Sequence, residues 1–442
     1  MKTKLRFASL VGVVAIVATA CSGSAATPSP SVAPSVAPST APSTAPSTAP
    51  STAPSTAPSE SAAASVAPSA APLTGTLTVW HSYGSGAGTE AQALKTVTDK
   101  IQAANPGLKL TIQDIKFDDL FKKFELEAAS GGGPDLFIAP NDSLGKEARA
   151  GLFLDVTTML DGKLGNDSDV SVAGSKVDVG QGPKLFMVPE SLKAVAMYYD
   201  KSKIATPPAT TDALLAGVKD GSIKAGFDAH SSYHSFGWWA AFGGKLMDDS
   251  GKCVADTTGV ADAYKYFQDL QTAGAKWYDK YDDLASDFKS GKIDLIVDGP
   301  WASGGYKDAL KDKLAVAPMP AGPKGPSAPL TGVDGWYINA SAKDPQLAVN
   351  FALEMVKAEN EQVFVDTAGH IPADSTIAIT DPITQKFAEA VKTGFPRPQV
   401  PQLDNFWGNF DNALKEVVQK GTDPKTAATT ACTAMNTANK IP

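Results

Sequence analysis

From Ser22 to Pro72 the chain is almost entirely Ala, Pro, Ser, Thr and Val, with Glu60 its one charge and no aromatic residue. Such a stretch buries too little apolar surface to offset the entropy of ordering it. Any folded body is therefore confined to the residues from Leu73 to Pro442. Frequent prolines bias the tract toward extended polyproline II at about 3.1 Å per residue, a reach of about 150 Å. It reads as a spacer through a cell envelope, open to O-glycosylation on Ser and Thr. Its individual residues matter little beyond length and solubility.

The residues ahead of the tract say how it is deployed. Lys2, Lys4 and Arg6 lead into an apolar or small run, Phe7 to Ala20, and Ala18-Thr19-Ala20 sets small residues before Cys21. This is the pattern of a bacterial export signal, residues 1–20, that a peptidase removes. The run is too short to span a bilayer comfortably. The junction resembles a lipoprotein signal peptide, in which Cys21 becomes the lipidated N-terminus and anchors the chain to the cell membrane. Ala18 departs from the commoner Leu at that position. The alternative is an ordinary secreted chain cut near Ala20.

The residues beyond the tract suffice for two lobes with cores of their own. With Lys2, Lys4, Arg6 and Glu60 set aside, the formal charge of −8 becomes about −10, and the charges are interspersed. There is no basic stripe for phosphate, so nucleic acid is not an expected partner. After Cys21 only Cys253 and Cys432 remain. In an oxidising compartment they form a disulfide or stay as two buried thiols. No Cys or His cluster has zinc spacing, and His81, His230, His234 and His370 are scattered, so no metal or cofactor is expected.

The body alternates strand and helix. Thr76 to Trp80 alternates as a strand does; Leu94, Val97 and Ile101 recur at helical spacing until Pro106 stops them. Leu108, Leu110 and Ile112 alternate again, Leu120, Phe121, Phe124 and Ala128 mark a second helix, and Asp135 to Ala139 is a short buried strand. Val260, Ala263, Tyr264, Phe267 and Leu270 and then Ile293 to Val297 repeat the pattern. This order predicts an α/β fold with mainly parallel sheets flanked by helices. Asp344-Pro345 and Asp423-Pro424 each read as a helix cap followed by the first helical residue. From about Pro372 onward the tail reads as all helix.

No catalytic constellation emerges: a nucleophile elbow, a phosphate loop, an H-E-x-x-H motif and a dinucleotide fingerprint are all absent. Gly84-Ser85-Gly86-Ala87-Gly88 reads as a turn that lets a ligand approach the backbone. The acidic doublets Asp118-Asp119, Asp248-Asp249 and Asp282-Asp283 read as caps or solvated faces. A glycosidase pair would meet in space rather than in sequence, which keeps a tethered glycoside hydrolase as the alternative function. Tryptophan placement is more telling. Trp80, Trp301, Trp336 and Trp407 sit where strands end and loops begin, the edge at which open α/β sheets bind ligands. A flat indole covers the apolar face of a pyranose while nearby polar groups take its hydroxyls. Trp238-Trp239 lies inside the expected helix Ser235 to Phe242, where at least one of the pair supplies packing instead.

Five motifs occur in order: Thr78-Val79-Trp80-His81; Gly133-Pro134-Asp135-Leu136-Phe137; Asp298-Gly299-Pro300-Trp301; Gly332 to Asn339; and Pro401 to Trp407. Together they resemble the solute-binding proteins of ABC sugar importers, of the maltose/maltodextrin-binding group. The resemblance implies a two-lobed periplasmic-binding-protein-like fold that hinges around an oligosaccharide, a monomer that delivers its ligand to the transmembrane subunits of a permease. It places lobe 1 at about 74–192 and 315–372 and lobe 2 at about 193–314 and 373–442. The lobe crossings fall near Ser191 to Val195, Leu314 to Pro318 and Ile371 to Pro372. It also assigns binding roles. His81, Ser82 and Tyr83 would take hydroxyls, Asn141 and Asp142 would accept, Tyr233, Trp301 and Trp407 would stack, and Trp336 lies on a neighbouring strand end. Ala139, Ser143 and Lys193 stand where the enteric maltose protein has a Trp, an Arg and a Glu, though Glu190 is close to the last.

Overall fold

The computed structural model describes residues 71–84 and 89–441. The export signal, Cys21, the tract as far as residue 70 and residues 85–88 of the glycine-rich turn lie outside the described residues. Alternation at Leu77 and Val79, both fully buried, builds β1 (Gly75–His81). It pairs in parallel with β2 (Leu108–Asp114) and β3 (Leu136–Pro140). The helix Thr89–Ala104 buries Leu94, Val97 and Ile101 and ends before Pro106, as its spacing predicts. The helix Phe117–Ala128 buries Leu120, Phe124 and Ala128 and gives way to Gly131 and Gly133, both at positive φ.

These elements belong to a first sheet completed by β6 (Met187–Lys193), β12 (Leu330–Ile338) and β13 (Ile371–Pro372). The order is β13-β6-β12-β3-β1-β2, with β14 (Phe395–Pro396) on β12. A hairpin of β4 (Lys176–Asp178) and β5 (Pro183–Leu185) stands apart from it. The second sheet holds β7 (Ala196–Asp200), β8 (Ala225–Asp228), β9 (Lys276–Tyr278), β10 (Leu295–Asp298) and β11 (Leu314–Ala317). Its order is β11-β7-β10-β8-β9. The α/β architecture is the expected one, and both sheets are mixed: β12 runs antiparallel to β3 and β6, and β7 antiparallel to β10 and β11.

The chain first passes from one sheet to the other at Ala194 and Val195, both fully buried. The second passage comes later than the sequence indicates. Leu314–Ala317 is a strand of the second sheet, registered against Met197 to Asp200, so the first sheet resumes only at Leu330. The tail also departs from an all-helical reading, because Phe395 and Pro396 return to pair with Leu330 and Thr331. The expected single helix around Trp238-Trp239 is two short turns, Ser232–Ser235 and Gly237–Ala241, and both tryptophans are core. The edge position of β2 leaves Ile112 more than a third exposed, although its alternation reads as buried.

The capping expectations hold. Asp344 accepts from the Leu347 N–H and Asp423 from the Thr426 N–H, at 2.9 and 2.8 Å, each with proline at the next residue. Such caps contribute about 1 kcal/mol apiece. Cys253 and Cys432 are bridged, which settles the alternative the sequence leaves open. The bridge ties the Met247–Cys253 turn to the C-terminal helix Pro424–Ala438 across 179 residues. Closing so long a loop restricts the unfolded chain and stabilises the fold by about 4 to 5 kcal/mol. Replacing both cysteines by alanine should therefore lower the unfolding free energy in urea by about that amount, with the native far-ultraviolet spectrum retained. An unchanged denaturation midpoint would count against the bridge as a stabilising link.

Candidate functional site

Two of the three aromatic residues of the site stand at the ends of second-sheet strands. β10 ends in Asp298, and Gly299-Pro300 turns the chain so that Trp301 falls in the short helix Pro300–Ala302. A Cβ on Gly299 would lie 2.0 Å from the Trp301 ring, so only glycine lets the indole lie against this turn. Tyr233 stands on the turn after β8, its ring centroid 6.1 Å from that of Trp301 at an interplanar angle of 37°. Trp407 opens the helix Trp407–Lys420 and is braced edge-on by Phe406 at 4.8 Å. All three rings are partly buried and pack against the second-sheet core.

Their faces are covered by cations held from the first sheet. Lys193, at the end of β6, places its Nζ 5.6 Å from the Trp301 centroid. The same Nζ is 2.6 Å from Asp334 Oδ2 on β12 and 3.4 Å from Glu90 Oε1. The Arg397 guanidinium lies 5.4 Å from the Tyr233 ring and 5.2 Å from the Trp407 ring. It is anchored by Asn141 Oδ1 at 3.0 Å and by the Asp142 carboxylate. Cations on aromatic faces are attracted by the ring quadrupole, more strongly when out of water.

Behind Lys193 lies a buried polar network. His370 is hydrogen-bonded at both ring nitrogens, 2.8 Å from Glu190 Oε1 and 3.0 Å from Glu90 Oε1. Burial alone would lower its pKa, but Glu190 and Glu90 raise it to about 10, so both nitrogens donate. Burial would raise Glu90, yet Lys193 and His370 bring it down to about 2. Burial also depresses an ammonium, and here Asp334 and Glu90 reverse this and raise Lys193. Asp334 is raised, chiefly by burial, although Lys193 pulls the other way. Glu361 accepts from the Ala373 N–H at 2.7 Å; burial first, then the Glu190 charge, pushes it up to about 9. Among the described residues, Tyr83 Oη, Glu190 Oε2, Asp334 Oδ1, Arg397 Nε and Trp407 Nε1 are buried without a hydrogen-bond partner. Such atoms also occur in the cores, at Trp238, Tyr264 and Trp336 among others; those beside the three rings are the ones that a polyhydroxylated ligand could satisfy.

The structure sorts the residues expected from sequence. Tyr233, Trp301 and Trp407 come together, and Glu190 and Tyr83 join the polar side. His81 is buried, accepts from the Tyr83 N–H at 3.2 Å and lies 3.6 Å from Asp114; burial lowers its pKa below 6.5. Asn141 does not offer a free acceptor, because Oδ1 takes Arg397 and the Val333 N–H while Nδ2 donates to the Gly174 carbonyl. Asp142 is neutralised by Arg397. Trp80 and Trp336 are corrections. Trp80 is 2% exposed, in the core with Leu120 and Phe124 and under Lys123; Trp336 is 1% exposed, edge-on to Phe351 at 6.0 Å. Both strands are covered on both faces, so a place near a strand end does not bring the side chain to the rim. Sequence reasoning missed Arg397, Asp334, Glu90 and His370. One signal was available: beyond the export signal the chain has only two arginines, Arg149 and Arg397. Arg149 likewise reaches across, to Asp404 at 2.7 Å and the Gln399 carbonyl at 3.2 Å.

Comparison with known proteins shows the family. The family described as bacterial extracellular solute-binding protein matches residues 96–393. The maltooligosaccharide ABC transporter solute-binding lipoprotein of Streptococcus pneumoniae (strain ATCC BAA-255 / R6) is 27% identical over 358 residues, 74% of this chain and 81% of that one. The maltotriose-binding protein of Pyrococcus abyssi is 25% identical over 378 residues, 80% of this chain and 79% of its own. Among solved structures, Thermus thermophilus maltotriose binding protein bound with maltotriose superposes with a TM-score of 0.73 at 27% identity, covering 82% of this chain and all of that one.

The buried network makes stability depend on pH with a definite sign. His370 is raised, so its contribution is full below about 6.5 and lost as pH rises through about 10. Glu90 is lowered, so its contribution is present above 4.5 and lost as pH falls through about 2. Glu361 stays protonated in the fold, so between 4.5 and about 9 it withdraws stability as the unfolded chain ionises. Each such group imposes a slope of up to about 1.4 kcal/mol per pH unit. Urea midpoints should therefore fall from pH 6 to pH 9. Glu361→Gln, which keeps an acceptor for the Ala373 N–H and does not ionise, should fall less steeply. Parallel curves for the two proteins would contradict the assignment.

Proposed function

The chain belongs to the bacterial extracellular solute-binding proteins, and from that premise we propose that it captures a maltose- or maltodextrin-like oligosaccharide and hands it to an ABC importer. The observation that carries this reading is the row of Trp301, Tyr233 and Trp407 faces set against buried polar atoms that lack partners. Pyranose rings present flat C–H faces to aromatic rings and hydroxyls at their edges, and this site offers both kinds of surface. Relatives named for maltooligosaccharide and for maltotriose support the ligand class. A stacked sugar uses the same ring faces that Lys193 and Arg397 now cover. Ligand entry therefore means that the two cations, anchored on the first sheet, draw away from the rings of the second.

A glycoside hydrolase requires two carboxylates free to flank the scissile bond. Here Asp334 is tied to Lys193 and Glu190 to His370, and the relatives are binding proteins. No helix of the described residues is long and apolar enough to cross a membrane. Under this reading Cys21 carries the lipid anchor outside the cytoplasm, the Ala-Pro-Ser-Thr tract is the tether, and the binding body acts as a monomer. The permease's transmembrane subunits receive the sugar.

Calorimetry with maltotriose tests the reading. Binding heat should appear with no shorter sugars released on prolonged incubation. Trp301→Ala and Trp407→Ala should each weaken binding about thirtyfold, about 2 kcal/mol, while the melting temperature moves by a few degrees. A melting temperature that collapses with affinity retained would place both residues in the core instead.

A further inference from the structure

Trp301 is held at its polar edge as well as by the turn beneath it. Its indole N–H donates to Tyr281 Oη at 3.1 Å, and Tyr281 Oη donates in turn to Asp298 Oδ2 at 2.9 Å. Asp298 is fully buried, and its other partners are fixed parts of the fold. The Gly299 N–H donates to Oδ1 at 2.7 Å, and Tyr306 Oη donates to Oδ2 at 2.6 Å. His234 Nε2 stands 3.6 Å from Oδ1, and the same imidazole meets the Trp301 ring edge-on, centroids 6.0 Å apart. Charge-assisted hydrogen bonds to a buried carboxylate are about twice as strong as neutral ones and are directional. An indole at a loop turn has rotamer freedom to lose on binding, and a ring fixed beforehand loses less.

We propose that Tyr281 and Asp298 are positioning residues for sugar recognition, acting through Trp301: the buried carboxylate orients the tyrosine hydroxyl, which fixes the plane of the indole before the ligand arrives. This rests on the reading of Trp301 as a stacking platform. Neither residue is required to touch the ligand. The three residues come from two separate places in the chain, Tyr281 from the start of the helix Tyr281–Lys289 and Asp298 and Trp301 from the β10 turn. Tyr306 serves as a comparison one bond further from the indole. Its hydroxyl binds the same carboxylate oxygen and interacts with the Tyr281 hydroxyl, but it makes no bond to Trp301 itself.

The experiment compares Tyr281→Phe and Tyr306→Phe, each alone and Tyr281→Phe also in the Trp301→Ala background, by two readouts. The first is the indole N–H resonance of Trp301 in ligand-free protein, assigned by its loss in Trp301→Phe. Tyr281→Phe should shift it upfield and speed its exchange with solvent, and Tyr306→Phe should do so to a smaller extent. The second is the maltotriose Kd. Tyr281→Phe should raise it about five- to tenfold, the worth of one oriented hydrogen bond. Tyr306→Phe should raise it less than about twofold, and Tyr281→Phe should add less than about twofold once Trp301 is alanine. An unmoved indole resonance in Tyr281→Phe overturns the proposal, as does an affinity loss that persists in full without Trp301. If the wild type gives no binding heat, the reading of the ligand has failed, and the resonance alone still decides whether Tyr281 holds the indole.

Discussion

An ammonium group taken out of water costs several kcal/mol unless close partners offset it. Lys193 meets that condition with Asp334 on β12 and Glu90 on the helix Thr89–Ala104. The residue sits at the last position of β6, immediately before the chain passes through Ala194 and Val195 into the second sheet. One buried charge therefore fixes three elements of the first sheet's lobe at the point where the chain leaves it. The same charge projects over Trp301. His370 and Glu190 extend the network to the edge strand β13, so the passage out of the first sheet and the later return segment share one polar core. Removing any one partner would leave an uncompensated charge, which is far more destabilising than never having placed the pair there.

Arg397 repeats the arrangement at the other end of the aromatic row. Its guanidinium is fixed by Asn141 and Asp142 after β3 and lies on Tyr233 and Trp407. Each cation is thus neutralised on one side and in contact with an aromatic face on the other. Such contacts are worth about 1 to 2 kcal/mol when partly desolvated.

Much of this was legible in the sequence because it depends on local spacing. The βα order, the helix stops at Pro106 and Gly131, and the aspartate-proline caps arise from neighbours within a few residues. The positions of Trp301 and Trp407 were legible because Trp301 follows a strand end and a proline and Trp407 stands at a loop-to-helix junction. The buried ionic network was not, because its members are scattered from Glu90 to His370 and meet through strand pairing. Asp334 sits mid-strand between apolar residues, where alternation alone predicts packing. Trp80 and Trp336 show the converse error: both stand near strand ends, yet helices cover both faces of their sheet and turn the indoles inward. The second passage, which the resemblance places at Leu314 to Pro318, lies later because Leu314–Ala317 is registered against β7, a long-range pairing that local sequence does not carry.

The central claim is that the rings now covered by the chain's own cations are the surface on which sugar sits. A crystal structure of the binding body with maltotriose tests it most directly. Glucose rings should stack on Trp301 and Trp407, with Lys193 Nζ and the Arg397 guanidinium withdrawn from those faces and hydrogen-bonded to ligand hydroxyls. Maltotriose bound elsewhere, with both cations still seated on the rings, would contradict it.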